Sequence, residues 1–237
     1  MDITRADEIL KYWFKDDGSA DFDKWFMNSK AYDNEITEKF GELLKEAEKG
    51  NGFGWLVNKN SFVAYIILMD QFSRHIYRDT ADAFKNDIST IIFTNMGFDL
   101  YRQQLVGYEF MFAFMPYMHT ESLEYQNKGE KIFNKHHELY VRYQGGGHGS
   151  SGYDAKKGSR YHLLSSPTTD EFMSGIEPVL TQADKDLKML DQMQGHVLGH
   201  KRTIEQFGRF PKRNEALSRD STQAEINYIR LSLNRPY

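Results

Sequence analysis

Asp70, Arg74 and Arg78 stand four residues apart, so a helix through them sets a carboxylate and two guanidiniums on one strip, with Gln71 and His75 on the strip beside it. Two readings of that strip stand side by side. In one it is a structural ion pair closing the apolar segment that precedes it; in the other the guanidiniums face a cleft and hold an anionic ligand through bidentate contacts. The run FGRFPKRN places Arg209 and Arg213 between aromatic residues and a proline, a composition for a rigid turn presenting guanidiniums at fixed angles. Its alternative is that Arg209 and Asn214 bond free carbonyls at helix ends. His119 and Glu121 follow Pro116 at what reads as a helix start, offering a general base beside a carboxylate. His196 and His200 are four apart, the spacing for two ligands of one metal, but no H-E-x-x-H pattern accompanies them and a chance pair is the better reading.

The rest of the composition excludes more than it proposes. Thirty basic and thirty-four acidic residues leave a formal charge of −4, which makes no field for nucleic acid or an acidic membrane. The absence of cysteine removes disulfides, thiol catalysis and cysteine-ligated zinc. Gly147, Gly149 and Gly152 match a dinucleotide fingerprint in letters alone, since no strand precedes them and no clear helix follows; no cofactor is implied. The longest apolar runs, 62–69 and 110–118, fall short of the roughly 20 residues of a membrane span. The acidic start MDITRADEILKYWF is unlike a leader, so a cytoplasmic protein is expected.

Hydrophobic spacing of three and four residues recurs along nearly the whole chain. It predicts a first helix over about 5–15, begun by a Thr4/Asp7 capping box, and a second pattern from Trp25 through Ala47, followed by a turn at Trp55 and Leu56. A central helix over 61–77 is apolar nearly all round. Further helices are expected over 81–96, stopped by Gly97, over 108–118 and over 123–143, the last two separated near Pro116. A Gly/Ser-rich stretch at 144–170 reads as an exposed insertion; helical spacing returns over 177–207, and a short helix follows a Thr222/Glu225 capping box. The expectation is one all-α domain over 1–237, its many aromatics serving as core.

Several motifs together resemble the TPR-like helical family of bacterial type catalogued as domain of unknown function 924. They are YWF at 12–14, WF at 25–26, LMDQFSRHIYR at 68–78, AFKND at 83–87, PYMHTE at 116–121 with Gln126, and HKRTIEQFGRFPKRN at 200–214 with Leu217 and Arg219. The family pattern would have Asn, His and Gly where this chain has His75, Lys212 and Ser218. The resemblance implies a TPR-like array of antiparallel helix pairs and carries no established activity.

Taken together, the residues suggest a polar cleft for a small anionic molecule. Asp70, Gln71, Arg74, Arg78, Gln126, Arg209, Arg213 and Asn214 would line it, and His119 or Glu121 would move protons. The alternative, from another class, is a non-catalytic module whose concave helical face takes a protein partner. The sequence specifies no oligomeric state.

Overall fold

A helix that is apolar on every side needs neighbours on every side. The computed structural model, which describes residues 4–15, 20–27, 29–50, 52–145 and 183–233, builds the fold around such a helix. This helix, α4, runs over 59–76: α-helical from Lys59 to Ile66, π-helical over Ile67–Phe72, and α-helical again over Ser73–Ile76. Before it come α1 (Arg5–Trp13), α2 (Phe22–Phe26) and α3 (Lys30–Lys49). After it come α5 (Asp87–Tyr101), α6 (Gly107–His119), α7 (Leu123–Gly145), α8 (Ala183–Phe207) and α9 (Gln223–Leu233). Short 3-10 turns lie at Gly52–Trp55, Ala81–Phe84 and Pro211–Arg213. The protein is all-α, with no strand among the described residues.

Every residue of α4 from Ser61 to Ser73 is buried, with α1, α3, α5 and α6 packed around it. The YWF and WF motifs meet at one point of this core. Trp13 packs edge-on against Phe72 of α4 and Phe112 of α6, and its carbonyl accepts a 2.9 Å hydrogen bond from Trp25 Nε1. Helices α7 and α8 run antiparallel, as the pairing of Glu130 with Lys201, His137 with Asp191 and Tyr140 with Asp186 requires.

Local signals were accurate where a side chain closes its own helix. Thr222 and Glu225 form the expected capping box of α9, and Asn58 with Ser61 forms one for α4. Elsewhere tertiary packing overrode them. Thr4 is already helical in its backbone and makes no capping bond. Gly97 does not stop a helix; it lies inside α5, where the Phe62 ring occupies the space a Cβ would need. Pro116 also sits inside its helix, so His119 lies at the C-terminal end of α6 rather than at a helix start. The predicted helix over 81–96 is in fact a 3-10 turn followed by the longer α5. Most of the expected insertion at 144–170 falls outside the described residues.

Gly97→Ala pushes α5 off α4 and should cost about 1–3 kcal/mol through overpacking, read as a lower urea midpoint with an unchanged slope.

Candidate functional site

The π-helical turn of α4 carries the side chains on which the site is built. Its neighbours Asp70 and Gln71 both reach α6, one turn apart. Asp70 meets His119 Nδ1 at 2.8 and 2.9 Å, and Gln71 Nε2 meets the Met115 sulfur at 3.2 Å. Asp70 is only 1% exposed; its carboxylate is held by His119, Gln71 Nε2 at 2.5 Å and Arg74 Nη1 at 3.3 Å, and its main-chain oxygen accepts from the same Arg74 nitrogen at 2.9 Å and from Ser73 Oγ at 3.2 Å. Burial alone would raise the Asp70 pKa. The charges of Arg74 and His119, with hydrogen bonds from His119 and Gln71, outweigh burial and hold the carboxyl far below its ordinary range. An ionised carboxylate only accepts hydrogen bonds, so His119 donates from Nδ1 and leaves Nε2 as its open nitrogen.

From Asp70 the charges continue in a chain. Arg74 reaches Asp87 at 3.0 Å, Asp87 accepts from Arg213 Nη1 at 2.7 Å, and Arg213 Nη2 donates to the His119 carbonyl at 2.8 Å. The Arg213 guanidinium lies between the rings of Phe84 and Phe210, 4.5 and 4.6 Å from their centroids. Five of the expected residues, Asp70, Gln71, Arg74, His119 and Arg213, therefore come together, joined by Asp87, which spacing did not single out although it closes the AFKND motif. Their charges face one another.

The other expected residues stand apart from a common hollow. Glu121 accepts from the Phe210 amide at 2.8 Å and takes Arg219 bidentately at 2.7 and 3.0 Å. Although burial opposes it, these bonds lower its pKa, so Glu121 braces the turn rather than carrying protons. Asn214 is buried, donating to Ser221 and accepting from Arg219. Gln126 donates to the carbonyls of Met118 and Thr120 at the end of α6. Arg209 pairs with Glu225 at the start of α9. Arg78 lies in a different cluster, gripping Asp33 of α3 at 2.6 and 2.7 Å beside His75. Each of these side chains is taken by a partner within the protein.

Beyond Phe210 a cleft of about 460 Å³ opens between α8, the Pro211–Arg213 turn and α9. Gly195 and Gly199 form one wall and leave open space where a Cβ would stand. His196, His200, Thr203, Lys212, Tyr228 and Ser232 also line it. His200 donates from Nδ1 to the His196 carbonyl at 2.8 Å, which fixes its tautomer and leaves the Nε2 lone pair free. Burial, then the nearby charge of His119, pushes its pKa down to about 4, so His200 is neutral at pH 7. Thr203 donates to the Gly199 carbonyl and thus accepts from Tyr228, while Ser232 donates to the Ile229 carbonyl. Lys212 is exposed and has no ion pair among the described residues. The His119 and His200 rings lie 6.3 Å apart, linking the charge chain to the cleft. Sequence reasoning missed Thr203, Tyr228 and Ser232 because hydroxyls on helices carry no signature. It named His196 and His200 only as weak metal candidates, and no group of three or more metal-binding side chains gathers among the described residues.

These features define a class: an all-helical protein whose motif arginines, Arg74, Arg78, Arg209, Arg213 and Arg219, are bound into internal ion pairs beside a hydroxyl- and imidazole-lined cleft. The chain belongs to the family described as bacterial protein of unknown function (DUF924), whose model matches residues 9–232. It is similar in fold to the solved structure of a protein of unknown function, ATU0120, from Agrobacterium tumefaciens. The two are 23% identical with a TM-score of 0.64, over 95% of this chain and 97% of that one. No curated protein matches it. Ser218, where the family pattern expects glycine, adopts a left-handed φ of 51° in the loop after the turn, a conformation in which a side chain is strained.

Arg74→Ala leaves Asp70 and Asp87 short of a cation and should cost about 3–5 kcal/mol, seen as a large fall in melting temperature. Histidines that burial holds below their ordinary pKa, His75 among them, set a pH dependence. His200 is pushed down to about 4, and His136, stacked on Phe110, is pushed down to about 3 by burial and then by His137. Between pH about 6.5 and 4 the unfolded chain takes up protons that these folded histidines refuse, so stability falls with pH there. Urea titrations at pH 7 and pH 5 should show the loss, and His200→Gln should reduce it.

Proposed function

We propose that the cleft between α8, the Pro211–Arg213 turn and α9 binds a small anionic molecule that also carries hydroxyl or N–H groups. The observation that carries this reading is the pattern of free valences on its walls. Lys212 supplies a cation with no ion pair among the described residues, while His200 Nε2, Tyr228 and Ser232 have committed their protons elsewhere, which leaves lone pairs on residues that line the space. A bare anion satisfies only Lys212, and a neutral polyol only the acceptors. A hydroxylated phosphate or carboxylate satisfies both, which favours it by leaving fewer polar groups unpaired on binding.

The arginines contribute indirectly. Arg213 and Arg219 fix the turn that presents Lys212, and Arg74 and Asp70 fix His119 behind His200. If the bound molecule reacts, His200 is placed to accept a proton, since it is neutral at pH 7 and its tautomer is set.

Thermal-shift titration tests the reading with three probes: glucose 6-phosphate, glucose and inorganic phosphate. The sugar phosphate should raise the melting temperature more than either fragment, approaching the roughly 2.7 kcal/mol expected at a hundredfold excess over Kd. Lys212→Glu, at an exposed position, should abolish that shift while leaving the unliganded melting temperature unchanged. Equal shifts in the variant would reject the cleft as the site.

A further inference from the structure

Helix α5 departs from the pattern of the other surface helices. Its sequence, DISTIIFTNMGFDLY, is apolar on nearly all sides, as a helix enclosed by protein would be, yet only one side is covered. Thr90, Ile91, Phe93, Thr94, Gly97 and Phe98 are buried against the core. On the opposite side Ile88, Ile92, Met96 and Leu100 follow one another at intervals of four and remain 37% to 75% exposed. This ridge continues onto the Gly52–Trp55 turn. Tyr101 donates to the Leu56 carbonyl at 2.7 Å, and Tyr65 packs against both Trp55 and Phe93, so exposed Phe53 and Val57 stand beside the C-terminal end of α5.

We infer that this face is the interface of a two-fold symmetric dimer with a second copy of the chain, α5 packed antiparallel on α5. Three observations select a second copy as the occupant. The six side chains expose on the order of 600 Å² of apolar surface, at the top of what a monomer usually shows and most of the ~800 Å² each partner gives a standard interface. An unbroken i, i+4 ridge packs into the grooves of an identical ridge at about −50°, so α5 is complementary to itself. With the axis near the middle of the helix, Ile88 faces Leu100 of the second copy and Ile92 faces Met96, while Phe53 and Val57 reach the far end of the opposite ridge. The charges agree as well. Arg102, exposed and without an ion pair among the described residues, is brought to the end of the second copy that carries Asp82, an exposed carboxylate held only by the 3.5 Å surface pair with Lys85, and the two helix dipoles oppose.

The face lies on α5 and the Gly52–Trp55 turn, whereas the cleft is lined by α8, the Pro211–Arg213 turn and α9, so its test is independent of ligand binding. Multi-angle light scattering of the full chain at tens of micromolar should give twice the 27.7 kDa chain mass. Ile92→Lys should return it to the single-chain mass with circular dichroism unchanged, because Ile92 is exposed, and with a melting temperature that no longer rises with protein concentration. The chain has no cysteine, so Ile92→Cys/Met96→Cys should form a covalent dimer on mild oxidation through that pair alone. A wild-type chain that stays monomeric, or a dimer that survives Ile92→Lys or fails to cross-link, overturns the proposal.

Discussion

A carboxylate shut away from water has to be neutralised or answered by positive charge, and Asp70 is answered. Its place in the π-helical turn of the central helix brings it against His119 of α6 and Arg74 one turn along its own helix. Because that carboxylate stays ionised, Arg74 must remain beside it, Asp87 can share Arg74, and Arg213 can then enter opposite Asp87. The alternation of sign fixes the relative positions of α4, α5, α6 and the turn before α9 more tightly than the surrounding apolar contacts, which tolerate sliding. Removing any one member leaves a neighbour buried with one fewer opposite charge.

The same chain determines what remains available to a ligand. Arginine is the residue expected to bind anions, but here Arg74, Arg78, Arg209, Arg213 and Arg219 each answer a carboxylate of the protein itself. Their work is geometric: Arg219 and Glu121 pin the backbone of Phe210, and the proline that follows holds the turn rigid, so that Lys212 is presented at the cleft. The free chemistry beside it comes from ordinary residues, a histidine kept neutral by burial and hydroxyls whose protons are directed to helix carbonyls or to a neighbouring hydroxyl.

Much of the fold could be read from the chain because it is governed by local periodicity. The apolar run of α4, the amphipathic spacing of α3 and α7 and the Thr222/Glu225 box each act within a turn or two, and each is present. Failures occurred where a distant residue decided the outcome. Gly97 is an interior position made necessary by the Phe62 ring from α4, and Pro116 is tolerated within α6. Helix stop signals describe only what a residue prefers locally, and packing overrode that preference at both places.

For the candidate site, the sequence by itself determined which residue types would gather charge: the Asp70–Arg74 strip, the arginines of FGRFPKRN, and a histidine and glutamate after Pro116. It could not determine their partners, because an ion pair across 13, 98 or 126 positions leaves no trace in spacing. Only the tertiary structure decided that Arg78 turns to Asp33, that Glu121 braces a turn, and that the open valences belong to His200, Tyr228, Ser232 and Lys212. The physical reason is that a side chain's chemistry depends on which of its protons and lone pairs neighbours have already taken, and those neighbours are chosen by packing.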